Sequence, residues 1–115
     1  MAGTFQQVRA IALGYPGVEE RASYEGRSAF RAKKRGIIYE HAKPEVIVLR
    51  MPFEVREMLC AEQPKVFFFT AHYEGYPAAL VRLKAAKRTL LAELIEDAWR
   101  DAATKKQIAE CEAAR

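Results

Sequence analysis

A loop rich in aromatic and ionisable side chains lies between two apolar runs in the second half of the chain. It supplies an imidazole, a carboxylate and two phenol rings, from His72, Glu74, Tyr73 and Tyr76. An imidazole that titrates near neutral pH and a nearby carboxylate can move a proton, and flat rings can stack on a base or on another ring. Because Gly75 and Pro77 interrupt the pattern and the flanking apolar runs are short, the sequence predicts a strand, this loop and a second strand.

The residue types leave three interpretations of this loop open. In the first, His72, Tyr73 and Tyr76 form a ligand-binding or base-stacking surface, and in the second they cover the edge of a sheet. The third is catalysis, which requires His72 and Glu74 to converge with another polar group. The chain contains no phosphate-binding loop, no GxGxxG, HExxH or GxSxG motif and no paired-cysteine signature. We therefore expect no enzyme activity, no catalytic residue, no metal site and no cofactor.

A second chemically informative stretch is a basic segment over residues 27–35 that contains no carboxylate. Its cations are Arg27, Arg31, Lys33, Lys34 and Arg35. The whole chain has a formal net charge of only +4, so the placement of the charge matters more than its sum. Lys and Arg on a hairpin can contact phosphates, and strand alternation puts Arg31 and Lys33 opposite Phe30 and Ala32. We predict that these five cations bind nucleic acid, with Tyr73 and Tyr76 as stacking residues. The alternative is a solvated hairpin whose charges prevent edge pairing.

Hydrophobic periodicity predicts the elements that position these groups. In chain order it predicts a helix from the Thr4 cap to Leu13, strands over 28–33, 37–41 and 46–50, a helix over 53–62, strands over 66–70 and 79–83, and a helix over 89–102. Residues 16–26 are predicted as a loop, residues 105–115 as a frayed helix, and Arg56 on the outer face of the second helix. Successive hairpins favour an α+β fold, with a single antiparallel sheet of about five strands and helices packed on one face, in the order α-β-β-β-α-β-β-α.

Five short motifs are spread over nearly the whole chain. They are LGYPGVEE at 13–20, SY at 23–24, AFR at 29–31, HYEGYP at 72–77, and EDAWR at 96–100 with Lys105. Together they resemble the MmcQ/YjbR-like proteins. The resemblance implies one domain over residues 1–115, with a frataxin-like arrangement of sheet and helices that is described for this family as a double-wing DNA-binding motif. Frataxins bind iron through a strongly acidic first helix, whereas residues 4–13 contain no Asp or Glu, so iron binding is not implied.

Composition gives further expectations about location and partners. The start of the chain lacks the basic and apolar regions of a leader, and no run approaches the ~20 apolar residues that cross a bilayer. Cys60 and Cys111 show no metal-binding spacing. We expect a cytoplasmic monomer with no membrane partner that binds DNA, with RNA as the alternative nucleic acid. A second hypothesis is a non-catalytic module that binds a protein or a small ligand with the open sheet face and the loop over 72–77.

Overall fold

The computed structural model describes residues 3–32 and 35–114, and within them one antiparallel sheet carries helices on one of its faces. The helices are α1 (Phe5–Leu13), α2 (Phe53–Glu62), α3 (Arg88–Ala102) and α4 (Lys105–Ala113). The strands are β1 (Val18–Ala22), β2 (Ser28–Ala32), β3 (Arg35–Glu40), β4 (Val46–Arg50), β5 (Phe67–Phe68) and β6 (Ala78–Arg82). Their order across the sheet is β1-β2-β3-β4-β6-β5, and neighbouring strands run antiparallel. This confirms the α+β class and the single antiparallel sheet that the sequence predicts.

The described sheet has six strands rather than about five, because β1 lies inside the segment predicted as a loop. It pairs with β2 along its whole length, from Val18 opposite Ala32 to Ala22 opposite Ser28. Val18 is the one large apolar residue of this strand. An edge strand needs little apolar surface, so the alternation of hydrophobic and polar residues that identifies strands in a sequence is weak here.

The main core lies between the sheet and its helices. Alternate strand residues point into it, for example Phe30, Ile38 and Leu49. The fully buried Trp99 of α3 donates its indole N–H to the Pro16 carbonyl at 2.9 Å, and the Tyr15 ring stacks on it at 4.7 Å. These contacts fasten α3 and the segment after α1 to the same side of the sheet.

The C-terminal residues form a helix of their own rather than a continuation of α3. Ala103 adopts an extended conformation that ends α3, and Thr104 and Gln107 then form a reciprocal capping box that starts α4. Ile108 and Cys111 pack against the main core. Among the helices of residues 3–32 and 35–114, none is long and apolar enough to cross a membrane.

A bulge and a glycine shape the face of the sheet that the helices leave open. Phe30 pairs with Ile38 but Arg31 pairs with Gly36, so Ile37 is an extra residue in β3. The Tyr39 ring lies across Gly36, where a Cβ would overlap its hydroxyl and ring carbons. A glycine at this position therefore lets the phenol lie against the sheet near the Ala32–Arg35 end of the β2–β3 hairpin.

The edge strand β1 is tied to the helix layer through Glu20. The Nε of Arg9 donates to both Glu20 carboxylate oxygens, at 2.9 and 3.2 Å, and the Ser28 hydroxyl donates to Oε2 at 2.8 Å. The hydrogen bond from Arg9, followed by the one from Ser28, holds the pKa of Glu20 below its ordinary value. The carboxylate therefore stabilises the fold at neutral pH, and this contribution is lost as the pH falls through the pKa of the folded state.

Replacing Glu20 by Gln is expected to lower the melting temperature by about 3 °C at neutral pH, because the charged hydrogen bonds are lost. The difference from the parent protein should shrink at an acidic pH below the pKa of the folded parent, because the parent carboxyl is itself protonated there. Circular dichroism melting at both pH values measures the effect. Glu19→Gln is the control, because Glu19 is exposed and forms an ion pair with the exposed Arg21 at 3.1 Å. An equal loss in both variants at neutral pH would contradict the role given to Glu20.

Candidate functional site

The loop between β5 and β6 is organised by a buried guanidinium from α2. Arg56 is only 3% exposed. Its Nη1 donates to the carbonyl oxygens of Tyr73 and Tyr76, both at 2.8 Å, and of Ala78 at 3.3 Å, while Nη2 donates to the Glu74 carbonyl at 3.0 Å. One side chain thus serves four backbone acceptors of the loop and the strand that follows it.

The prediction that Arg56 faces solvent is wrong. Its guanidinium lies 3.8 Å from the centre of the Phe69 ring and 4.9 Å from that of Phe53, and it also reaches the Glu57 carboxylate at 3.2 Å. Arginine suits this place because its planar fork offers several donors and stacks on aromatic faces. One feature of the sequence indicates that Arg56 faces inward. It is three residues from both Phe53 and Leu59, the spacing of one helix face.

The rings of the loop gather above the open face of the sheet. His72 lies 4.7 Å from Tyr73 and 6.5 Å from Tyr76, and the two tyrosines are 6.3 Å apart, measured between ring centres. Tyr73 packs against a small apolar cluster on that face, formed by Val46, Val48, Ala78 and Leu80. Tyr76 is 61% exposed. The structure therefore brings the three predicted ligand-binding or stacking residues together.

A groove of about 420 Å³ runs between this loop and the β2–β3 hairpin. We call it the tyrosine groove, and the residues that line it are Arg35, Gly36, Tyr39, Val48, Arg50, Tyr73, Tyr76, Pro77 and Ala78. It joins a predicted basic residue, Arg35, to the predicted stacking residues. Its volume falls within the range of about 300 to 1,000 Å³ that is typical of small-molecule sites.

Two arginines of the tyrosine groove converge on one carboxylate. Nη1 of Arg35 lies 3.1 Å from Oδ2 of Asp101, and Nε of Arg50 lies 3.6 Å from the same oxygen. Asp101 comes from the last turn of α3 and is exposed. The pairing neutralises part of the positive charge at this end of the groove.

A second groove, of about 430 Å³, lies on the other side of Tyr39 and Tyr73, which line both. Arg27, His41 and His72 are among its other lining residues. Burial, followed by the charges of Lys43 and Arg27, lowers the pKa of His41, so this imidazole is neutral at pH 7. Arg27 supplies this second groove with a permanent positive charge.

The predicted basic residues do not all lie at one hairpin tip. Arg27 precedes β2 and forms an ion pair with Glu25 at 3.2 Å, whereas Arg35 begins β3 at the other end of the hairpin. Arg31 lies on the open face, because its neighbours Phe30 and Ala32 point into the core. Lys33 and Lys34 lie outside the described residues.

Sequence reasoning missed three participants besides Arg56: Tyr39, Arg50 and Asp101. Tyr39 reads as an ordinary strand aromatic, and Arg50 as the end of an apolar strand. Their approach to the loop results from the pairing of β3 with β4 and of β4 with β6, which sequence spacing does not show. Within residues 3–32 and 35–114 there is no group of three or more His, Cys, Asp or Glu side chains that could hold a metal ion.

Comparison with known proteins gives the family. The sequence model of the YjbR family matches residues 13–101, a range that includes both strands of the basic hairpin, the aromatic loop and Asp101. The chain belongs to the YjbR family. Two similar relatives, one from Mycobacterium tuberculosis and one from Mycobacterium bovis, are both named as uncharacterized proteins. Each is 30% identical over 119 residues that cover 91% of this chain and 92% of the relative. No solved structure matches the chain at a significant level.

Substituting Arg56 by Met is expected to destabilise this YjbR-family fold by about 2 to 4 kcal/mol, because four backbone carbonyls lose a charged donor. Arg56→Lys should lose less, since it keeps the charge but not the planar fork. Chemical denaturation followed by tryptophan fluorescence measures both. Arg88→Met removes an exposed arginine from the start of α3 and serves as the matched control. If Arg56→Met lowers the free energy of unfolding no more than this control does, Arg56 does not anchor the loop.

Proposed function

We propose that this YjbR-family protein binds nucleic acid, with DNA as the expected class, weakly and mainly through electrostatic contacts on the open face of its sheet. The observation that carries the proposal is the tyrosine groove, in which Arg35 and Arg50 lie beside Tyr39, Tyr73 and Tyr76. Cations that contact phosphates supply most of the affinity in such complexes, and aromatic rings add stacking on bases.

The distribution of charge on the open face supports this proposal. Strand alternation places Arg31, Arg50 and Arg82 there, on the side away from the main core. The Arg82 guanidinium lies 3.9 Å from the centre of the Phe68 ring, and the Lys43 ammonium lies 5.7 Å from it. Cations are therefore present at both ends of the sheet, on the face that the helices do not cover.

The resemblance in sequence motifs is a second, independent support. It implies a double-wing DNA-binding arrangement, and the β2–β3 hairpin with its predicted contacts Arg27, Arg31, Lys33, Lys34 and Arg35 corresponds to one basic wing. The modest net charge of +4 leads us to expect micromolar rather than nanomolar affinity at low salt.

Replacing Arg35 and Arg50 together by Gln should weaken binding to labelled DNA and flatten its salt dependence. Loss of two phosphate contacts is expected to reduce the slope of log affinity against log salt by about 1.4 to 1.8. Fluorescence anisotropy at several salt concentrations gives the slope. Lys87→Gln with Arg88→Gln is the control pair, since it removes the same charge about 20 Å away along α3.

An equal loss of affinity in the control pair would show that net charge alone governs binding, and it would refute the assignment of binding to the tyrosine groove. Absence of any binding at low salt would refute the proposed function itself.

The alternative function is a small-ligand or protein interaction module at the same groove. Its support is the apolar floor formed by Val48, Pro77 and Ala78 between the tyrosines. Binding of this kind would tolerate salt, because it buries apolar surface rather than releasing counterions. The salt titration therefore separates the two functions.

A further inference from the structure

We infer that the tyrosine groove takes single-stranded nucleic acid, with one phosphate between Arg35 and Arg50 and a neighbouring base against Tyr73 and Tyr76. This inference rests on the nucleic-acid binding proposed above and names the form of nucleic acid that the groove fits.

The position of Asp101 supports this placement of the phosphate. A single oxygen, Oδ2, lies 3.1 Å from Arg35 Nη1 and 3.6 Å from Arg50 Nε, so guanidinium groups from two neighbouring strands converge on one anionic atom. A phosphate oxygen is an acceptor of the same kind, and arginine binds phosphate in the geometry in which it binds carboxylate. The Asp101 side chain is 60% exposed, so it can leave without disturbing the core.

Asp101 is therefore an internal competitor for the phosphate. An incoming strand must break two exposed ion pairs, each of which contributes little to stability, and bring its phosphate to the place that the carboxylate held. Removing the charge of Asp101 should strengthen binding, whereas removing a nearby acid that pairs with neither arginine should not.

The arrangement of the rings favours unpaired bases. Tyr73 and Tyr76 are inclined at 65° to each other, so neither ring covers the face of the other. Tyr76 is 61% exposed beside the groove. A ring of this kind gains energy by stacking on the face of a base, and in a duplex those faces are already covered by the neighbouring base pairs.

The two grooves meet at the tyrosines. Tyr39 and Tyr73 line both the tyrosine groove and the second groove, and Arg27 lies in the second groove. A flexible single strand can follow these two concave surfaces across the tyrosines and reach cations on both sides. A duplex is too wide and too stiff to enter either groove with its bases, and it would touch only the cations at the rim.

The test compares a labelled 12-nucleotide single strand of DNA, the RNA of the same sequence and the matching DNA duplex by fluorescence anisotropy at low salt. We expect each single strand to bind at least about 10-fold more tightly than the duplex, because stacking on a base is available only to unpaired nucleotides. The DNA and RNA strands show which backbone the groove prefers. A duplex that binds as tightly as both single strands would overturn the inference.

Asp101→Asn should tighten single-strand binding by about 3- to 10-fold, the range expected when two exposed ion pairs no longer compete. Asp97→Asn is the matched control, because Asp97 is an exposed acid one turn earlier on the same helix. With Asp101, Arg35 and Arg50 it lines a third groove, of about 530 Å³, next to the tyrosine groove. Its effect should be at most about 2-fold, as for a general change in charge. Equal effects of the two variants would overturn the placement of the phosphate.

Tyr76→Ala should weaken single-strand binding by about 5- to 100-fold, the range found for removal of one stacking ring, and should leave duplex binding unchanged. Tyr76→Phe keeps the ring and should bind as the parent does. Binding that depends on Arg35 and Arg50 but not on strandedness or Tyr76 would overturn this inference and leave the proposed function standing. If none of these nucleic acids binds, both this inference and the proposed function are refuted.

Discussion

The buried guanidinium of Arg56 is the interaction on which the aromatic loop and the tyrosine groove depend. It donates to the carbonyls of Tyr73, Glu74 and Tyr76 in the loop and of Ala78 at the start of β6, so it joins α2, the loop and the sheet. The Tyr73 and Tyr76 carbonyls also accept from the backbone N–H groups of Tyr76 and Ala78, so the guanidinium reinforces a loop that already contains a short 3-10 turn at Ala71–Tyr73. This arrangement leaves the rings of Tyr73 and Tyr76 over the open face instead of in the main core.

The one-sided packing of the sheet creates the surface that this loop completes. The helices cover one face, and the other keeps only the small cluster around Val48 and Leu80, which Tyr73 partly covers. Polar and aromatic residues occupy the rest because strand side chains alternate between the two faces. The bulge at Ile37 and the absence of a side chain at Gly36 then allow Tyr39 to lie flat beside the loop.

The charges of this surface are balanced partly from within the chain. Asp101 reaches both Arg35 and Arg50, and Glu25 reaches Arg27. Such exposed pairs are weak and are screened by salt, so an external polyanion can exchange with them. Internal pairing and a small net charge limit non-specific binding of polyanions, which is consistent with the weak, salt-dependent binding proposed above.

Hydrophobic periodicity by itself determined most of this protein. The helices α1, α2 and α3, the β2–β3 hairpin, the strands β4 and β6 and the α+β class all follow from local pattern, because core-facing residues recur at the period of their element. The short sequence motifs were likewise sufficient to identify the family. The tertiary structure alone decided that β1 is a strand, that Arg56 is buried, and that Arg50 and Asp101 meet beside the aromatic loop. These depend on partners far away in the chain, since edge pairing, a buried cation and an ion pair between strand and helix each require surfaces that exist only after folding.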